Sequence, residues 1–238
     1  MIPMTDTVSQ KLVLFDIDGT LLHTHGAGRR AIRQALMDEL GTTDPPDGFR
    51  FDGKTDPQII MELMTAAGHP KANDPASIDG VCNRYADFLS DELRSNELRV
   101  EVLPGVVKLL DQLSSSEHVV GLLTGNIERG AMLKLQSAGL DPAIFIVGAF
   151  GSDSPERKDL PQVASDRAAP LMGEPPQGHD VVIIGDTPAD VACGGDFGAR
   201  AIAVATGSYT REELEAAGPH ATFDDLSDTR SVLDAVLL

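Results

Sequence analysis

The sequence predicts an α/β fold: a parallel sheet covered by helices, with an α-helical segment inserted after the first strand. Three observations carry this. After residue 100, apolar runs of strand length alternate with helical stretches, the pattern of a parallel sheet whose faces helices cover. Several of these runs end in residues that carry chemistry, as expected where strands of an open sheet deliver the chain into a crevice. More than a hundred residues separate the first run from the second, too many for a single crossover.

The first strand is expected near residues 12–16, where Leu12-Val13-Leu14-Phe15 runs into Asp16. The long interval that follows repeats apolar residues at helical spacing three times. Ala31, Ile32, Ala35, Leu36 and Leu40 mark the first stripe, Ile59, Ile60, Leu63 and Met64 the second, and Val81, Tyr85, Phe88 and Leu89 the third. Breaks rich in Gly, Asp and Pro separate them, at residues 41–47 and 69–75. The stripes read as packing, with only the loop tips meeting a ligand. Pro104-Gly105 marks the return to the sheet. Further strands are expected near 119–124, 144–147, 181–185, 201–204 and 221–223, and helices near 105–114, 127–138, 160–172, 188–195, 210–217 and 228–236.

The chemistry gathers at the strand ends. Asp16-Ile17-Asp18-Gly19-Thr20 places two carboxylates at the close of the first run. Held together there they repel each other unless a cation or proton lies between them, which points to a metal site with one carboxylate free to act as nucleophile. Val119-Val120-Gly121-Leu122-Leu123 ends in Thr124-Gly125-Asn126, where a hydroxyl and a backbone N–H suit a phosphate oxygen. Val181-Val182-Ile183-Ile184-Gly185 ends in Asp186-Thr187-Pro188-Ala189-Asp190, and Pro188 suits the first turn of a helix.

In this order the three segments resemble motifs I, II and IV of the haloacid dehalogenase (HAD) superfamily. The helical insertion directly after motif I resembles the C1-type cap of the phosphoglycolate phosphatase-like branch. The resemblance implies a Rossmann-like core over residues 1–22 and 101–238 and a cap over residues 23–100. It also implies Mg²⁺-dependent hydrolysis of a small phosphomonoester. Asp16 is then the nucleophile that forms an aspartyl-phosphate. Asp18 protonates the leaving oxygen and later deprotonates water, a role that needs a pKa within reach of neutral pH. Thr124 and the N–H of Gly125 hold phosphoryl oxygens, with Asn126 nearby. Mg²⁺ is held by Asp16, the backbone carbonyl of Asp18 and Asp186, while Asp190 stands behind them and orients a water or the cation.

The motif III cation of the family has two candidates in Ser154-Pro155-Glu156-Arg157-Lys158-Asp159-Leu160-Pro161. Pro161, three residues after Lys158, favours the lysine. The run Arg157-x-x-Leu160-x-x-x-Ala164 resembles members that use arginine, and the preference goes to Arg157. Residues 48–55 match the Walker A pattern G-x-x-x-x-G-K-[ST]. Asp52 in the variable positions and a polar, Pro-containing stretch upstream oppose a phosphate-cradling loop. Within a capped fold, Thr55 or Asp56 begins a helix instead, and Lys54 either reaches the substrate or faces solvent. His23, His25 and Arg29 fall at the hinge of the insertion, with the same two alternatives.

Composition excludes some classes. The formal charge is −18, from 37 acidic and 19 basic residues, so no basic footprint for nucleic acid exists. Asp outnumbers Glu 25 to 12, and there are 6 Lys against 13 Arg. That balance fits a surface kept soluble in concentrated salt, and equally an ordinary acidic enzyme. No apolar run approaches membrane-spanning length, and residues 1–11 lack the features of a signal peptide. Cys82 and Cys193 stand far apart, outside metal-ligand spacing, and read as core residues of a reducing compartment. The expectation is a cytoplasmic phosphatase, monomer or homodimer, acting on a small phosphorylated metabolite. Haloalkanoate dehalogenases lack the second aspartate. A sugar phosphomutase of the β-phosphoglucomutase type keeps both, and a catalytically silent HAD binding module is the reading from another class.

Overall fold

Leu12–Phe15 forms β1, buried on both faces because its neighbours flank it and helices cover it. A computed structural model describes residues 10–41, 45–95 and 100–238 of the chain. Most of the N-terminal stretch, residues 42–44 of the first break, and residues 96–99 lie outside the described residues. After β1, Leu22–His23 forms β2, and three helices follow: α1 (Ala27–Leu40), α2 (Asp56–Ala66) and α3 (Pro75–Arg94). Glu101–Val102 (β3) then pairs antiparallel with β2, tying together the two points where the chain leaves and rejoins the sheet. The sequence pattern carried no sign of this ribbon, since two residues per strand are too few for a period to show.

The remaining elements alternate: α4 (Val106–Ser114), β4 (Val119–Thr124), α5 (Glu128–Ser137), β5 (Val147–Phe150), α6 (Leu160–Met172), β6 (Val181–Gly185), α7 (Pro188–Phe197), β7 (Arg200–Val204), α8 (Arg211–Ala216), β8 (Ala221–Phe223) and α9 (Thr229–Leu237). The expected strand at 144–147 is displaced to β5. Asp141 accepts a hydrogen bond from the N–H of Ala143 and starts a short 3₁₀ turn at Pro142–Ile144, so the run begins as a turn.

The six main strands are parallel in the order β5-β4-β1-β6-β7-β8. β1 is therefore central, and the chain builds first to one side of it and then to the other. That switch point opens a crevice at the carboxyl ends of β4, β1 and β6. Alternation along β1 sends Val13 and Phe15 to a layer shared with α4, α5 and α9, and Leu12 and Leu14 to a layer shared with α6 and α7. The inserted helices close a third apolar cluster of their own, around Ile60, Met64, Val81, Tyr85 and Leu89, which Ile127 joins from the sheet side. Cys82 and Cys193 are free and buried, and burial pushes both thiols up to about 12.

Candidate active site

The crevice is built from the loop after β1 outward. Asp16 is buried and Asp18 half-buried, two residues on, because the chain turns back through hydrogen bonds from the N–H groups of Leu21 and Leu22 to the carbonyl of Ile17. Gly19 is the residue that permits this. Its φ is 81°, and a Cβ there would lie 2.3 Å from Oδ2 of Asp186. Thr20 donates to the other oxygen of Asp186 at 3.1 Å, which ties the ends of β1 and β6 together.

At the end of β4, Thr124 is fully buried. Its hydroxyl accepts from the N–H (3.3 Å) and side-chain amide (2.7 Å) of Asn126, and its nearness to Asp16 favours the charged form of that carboxylate. The strap Lys54–Asp56 crosses directly above: the N–H of Asp56 donates to the carbonyl of Gly125 at 2.7 Å. A Cβ on Gly125 would lie 2.2 Å from the Lys54 carbonyl, so only glycine admits the crossing. Thr55 caps α2, accepting from the N–H of Gln58 and donating to the Pro155 carbonyl at 2.8 Å. No strand lies between α1 and this segment among the described residues, which disposes of the Walker A likeness.

Arg157 and Lys158 part company here. Arg157 is buried, bonds Asp190, and lies 3.4 Å from Asp16. Lys158 is exposed and does not line the cavity, which corrects its inclusion among the site residues. The two sit in the same 3₁₀ turn before α6, and the turn aims only one of them inward. Asp190 belongs to a capping box at α7: one oxygen accepts from the N–H and hydroxyl of Thr187, and the other faces Arg157.

Oxygens of Asp16, Asp186 and Asp190 lie within 4.8 Å of one another, all buried. Burial, outweighing the opposing pull of Arg157, raises Asp16 to about 6. Burial and the charge of Asp16 push Asp186 well above the ordinary carboxylate range. Three buried carboxylates against one guanidinium leave an excess of negative charge that a hard divalent cation would neutralise, and an all-oxygen donor set suits such an ion. Asp18 behaves in the opposite way. Burial alone would raise it, but the Lys134 ammonium and the Asn126 amide hold it below the usual range.

These groups open onto a cavity of about 480 Å³ between the sheet and the inserted helices. Lys54 lines it, ion-paired to Glu62 and 4.3 Å from the centre of the Phe49 ring. His23, His25 and Arg29 line it too: a ring nitrogen of His23 bonds the Thr206 carbonyl, and Arg29 pairs with Asp52. Ile32, Ile59 and Tyr85 of the apolar stripes reach the cavity as well, so its wall is not made by loop tips alone. The polar atoms of the Asn126 side chain are taken up by Asp18, Thr124 and Lys134.

Two polar groups at this site escaped the sequence reading. Asp56 is a buried carboxylate that accepts from the N–H of Ile127 at 2.8 Å, and burial raises it to about 6. Lys134 is buried on α5 beside Ala131 and Leu135. A lone lysine on the apolar stripe of the helix after motif II was the available signal.

A family model described as haloacid dehalogenase-like hydrolase matches residues 13–194, and a second, HAD-hydrolase-like, matches residues 160–229. A phosphoglycolate phosphatase of Rhodospirillum rubrum is 30% identical over 219 residues, spanning 91% of this chain and 88% of that protein. Pyrophosphatase PpaX of Bacillus cereus is 25% identical over 223 residues, 93% of this chain and 95% of the relative. Among solved structures, a hydrolase from Pseudomonas syringae superposes with a TM-score of 0.71 at 22% identity, covering 95% of this chain and 98% of that one. CbbY from Rhodobacter sphaeroides in complex with phosphate gives 0.67 at 22% identity, covering 92% and 96%. At these identities the two structures speak to the fold alone.

Proposed function

The chain belongs to the haloacid dehalogenase-like hydrolases as a phosphatase of the phosphoglycolate phosphatase-like kind, and from that premise we propose that it hydrolyses a small phosphomonoester through an aspartyl-phosphate on Asp16, with Mg²⁺. The observation that carries this is the setting of Asp16. It directly follows the central strand, 3.4 Å from a buried guanidinium and within a cluster of three carboxylates, and it lines the cavity. The residues that would hold the cation are Asp16, Asp186 and the backbone carbonyl of Asp18. When bound it would neutralise these carboxylates and the phosphoryl oxygens, lowering the charge barrier to attack.

The rest is done by the chain. A carboxylate oxygen of Asp16 attacks phosphorus as the bond to the leaving oxygen breaks, and Asp18 gives that oxygen its proton. Asp18 then takes a proton from water, which attacks phosphorus and releases the Asp16 carboxylate. Lys134 keeps Asp18 ionised at rest, and a phosphate dianion arriving beside it raises its proton affinity towards the working range. Thr124 and the N–H of Gly125 orient phosphoryl oxygens, and Arg157 balances charge in transfer. Helices α1–α3 act as the cap that screens water, with Lys54 at its edge facing the substrate. A cavity of about 480 Å³ suits a metabolite-sized ester.

The test is phosphate release, with Mg²⁺ and with chelator, across phosphoglycolate, pyrophosphate, sugar phosphates, nucleotides and 4-nitrophenyl phosphate. Asp16→Asn is expected to abolish turnover and keep the fold, since an amide is a poor nucleophile. Near-wild-type turnover in a freshly purified, non-deamidated variant would overturn the assignment.

A further inference from the structure

We propose that Lys134 is a positioning residue for Asp18: with Asn126 it locks the carboxylate in the orientation that serves the leaving oxygen, and α1 packs against it at Gly28. The proposal rests on the proton-transfer role given to Asp18 above. It starts from a buried cation that touches no reacting atom and whose charge alone entered the steps above. Lys134 is 3% exposed, and an ammonium so placed persists only when it is paired. Its Nζ donates to Oδ2 of Asp18 and to Oδ1 of Asn126, both at 2.5 Å. The Asn126 amide in turn donates to the same Asp18 oxygen at 2.9 Å and to the Thr124 hydroxyl at 2.7 Å.

Both donors converge on one oxygen, which leaves Oδ1 of Asp18 for the cavity that this residue lines. The terminal torsion of an aspartate is otherwise broad, so two donors on one oxygen convert a swinging carboxylate into an aimed one. The network also runs through Asn126 to Thr124, so proton transfer and phosphoryl binding share one scaffold.

The inserted helices complete the lock. A Cβ at Gly28 would lie 3.4 Å from Nζ of Lys134 and 3.7 Å from the Tyr85 hydroxyl. That hydroxyl is fully buried and is turned to the Asp56 carboxyl, so α1 and α3 close over the ammonium without competing for its partners. A Cβ is accommodated at those distances, whereas the branched side chain of leucine would press on Nζ and disturb Asp18 from the far side of the cavity.

The experiment compares Lys134→Met, Asp18→Asn and their combination on aryl phosphates from 4-nitrophenyl to phenyl. Circular dichroism and melting temperature of each variant set the fold aside. Lys134→Met is expected to lower kcat about 100-fold on phenyl phosphate and less than about tenfold on 4-nitrophenyl phosphate, with KM changed less than about twofold. The double variant is expected to be no slower than Asp18→Asn. Equal losses across leaving groups, or losses that multiply in the double variant, would overturn the proposal. Gly28→Leu keeps the lysine and displaces it, so it carries the test if Lys134→Met does not fold. It should show the same selective loss, and full activity on phenyl phosphate would overturn the part given to α1. The profile of Asp18→Asn alone judges the proton-transfer role, and additivity in the double variant judges Lys134 independently.

Discussion

Arg157 and Asp56 show what burial does to a single charge. The Arg157 guanidinium has Asp190 on one side and Asp16 on the other, and all three are buried. Removing it leaves two buried carboxylates uncompensated, a change that costs about 3–5 kcal/mol. Arg157→Ala is therefore expected to lose at least ~1000-fold in kcat/KM, while Lys158→Ala stays within about twofold. Mild losses in both would show that the family's cation lies elsewhere. Asp56 makes a statement about stability. Its carboxyl is raised by burial to about 6 from 3.8, so the folded protein holds a proton between those values that the unfolded chain has released. Stability from this group is then highest below about pH 4 and falls as pH rises to about 6, by roughly 3 kcal/mol at most. Asp56→Asn keeps an acceptor for the N–H of Ile127 and removes the titration. Its melting temperature should gain on the wild type as pH goes from 4 to 7, and parallel curves would dissociate Asp56 from the effect.

At the scale of elements, short connections aim the chemistry. α2 begins where Thr55 both caps the helix and bonds the Pro155 carbonyl, so one hydroxyl joins the inserted helices to the turn that carries Arg157. Thr55→Val keeps the shape and loses both bonds at a fully buried position. It is expected to destabilise the fold by about 2 kcal/mol in urea unfolding, the sum of a lost cap and an unpaired carbonyl. A loss under about 0.5 kcal/mol would mean that water or a neighbour replaces them.

Over the whole molecule, carboxylates outnumber their partners. Arginines take up some of them at the surface, as in Arg30 with Glu92, Arg129 with Asp87 and Arg211 with Asp224, yet the net charge is −18. Repulsion among the rest is felt over about 10 Å at 0.1 M salt and about 3 Å at 1 M. The melting temperature is expected to rise steadily from dilute buffer to molar KCl. A flat or falling curve would return the composition to the ordinary acidic reading. No helix among the described residues is long and apolar enough to cross a membrane.

The sequence by itself determined the strand-end chemistry and the order of the helices. An apolar run closed by Asp16, by Thr124 or by Asp186 is local along the chain, and so is the spacing that marks α1, α2 and α3. Which of two adjacent cations points inward was not local, because a single turn before α6 separates buried Arg157 from exposed Lys158. Lys134 was equally hidden: its partner Asp18 lies 116 residues away, and on its own helix it reads as a misplaced charge among apolar neighbours. The same holds for Asp56, whose partner is a backbone N–H 71 residues on. A motif needs only neighbours in sequence, whereas the pairing that lets a buried charge persist is made by groups that meet only once the sheet and the inserted helices have closed on each other.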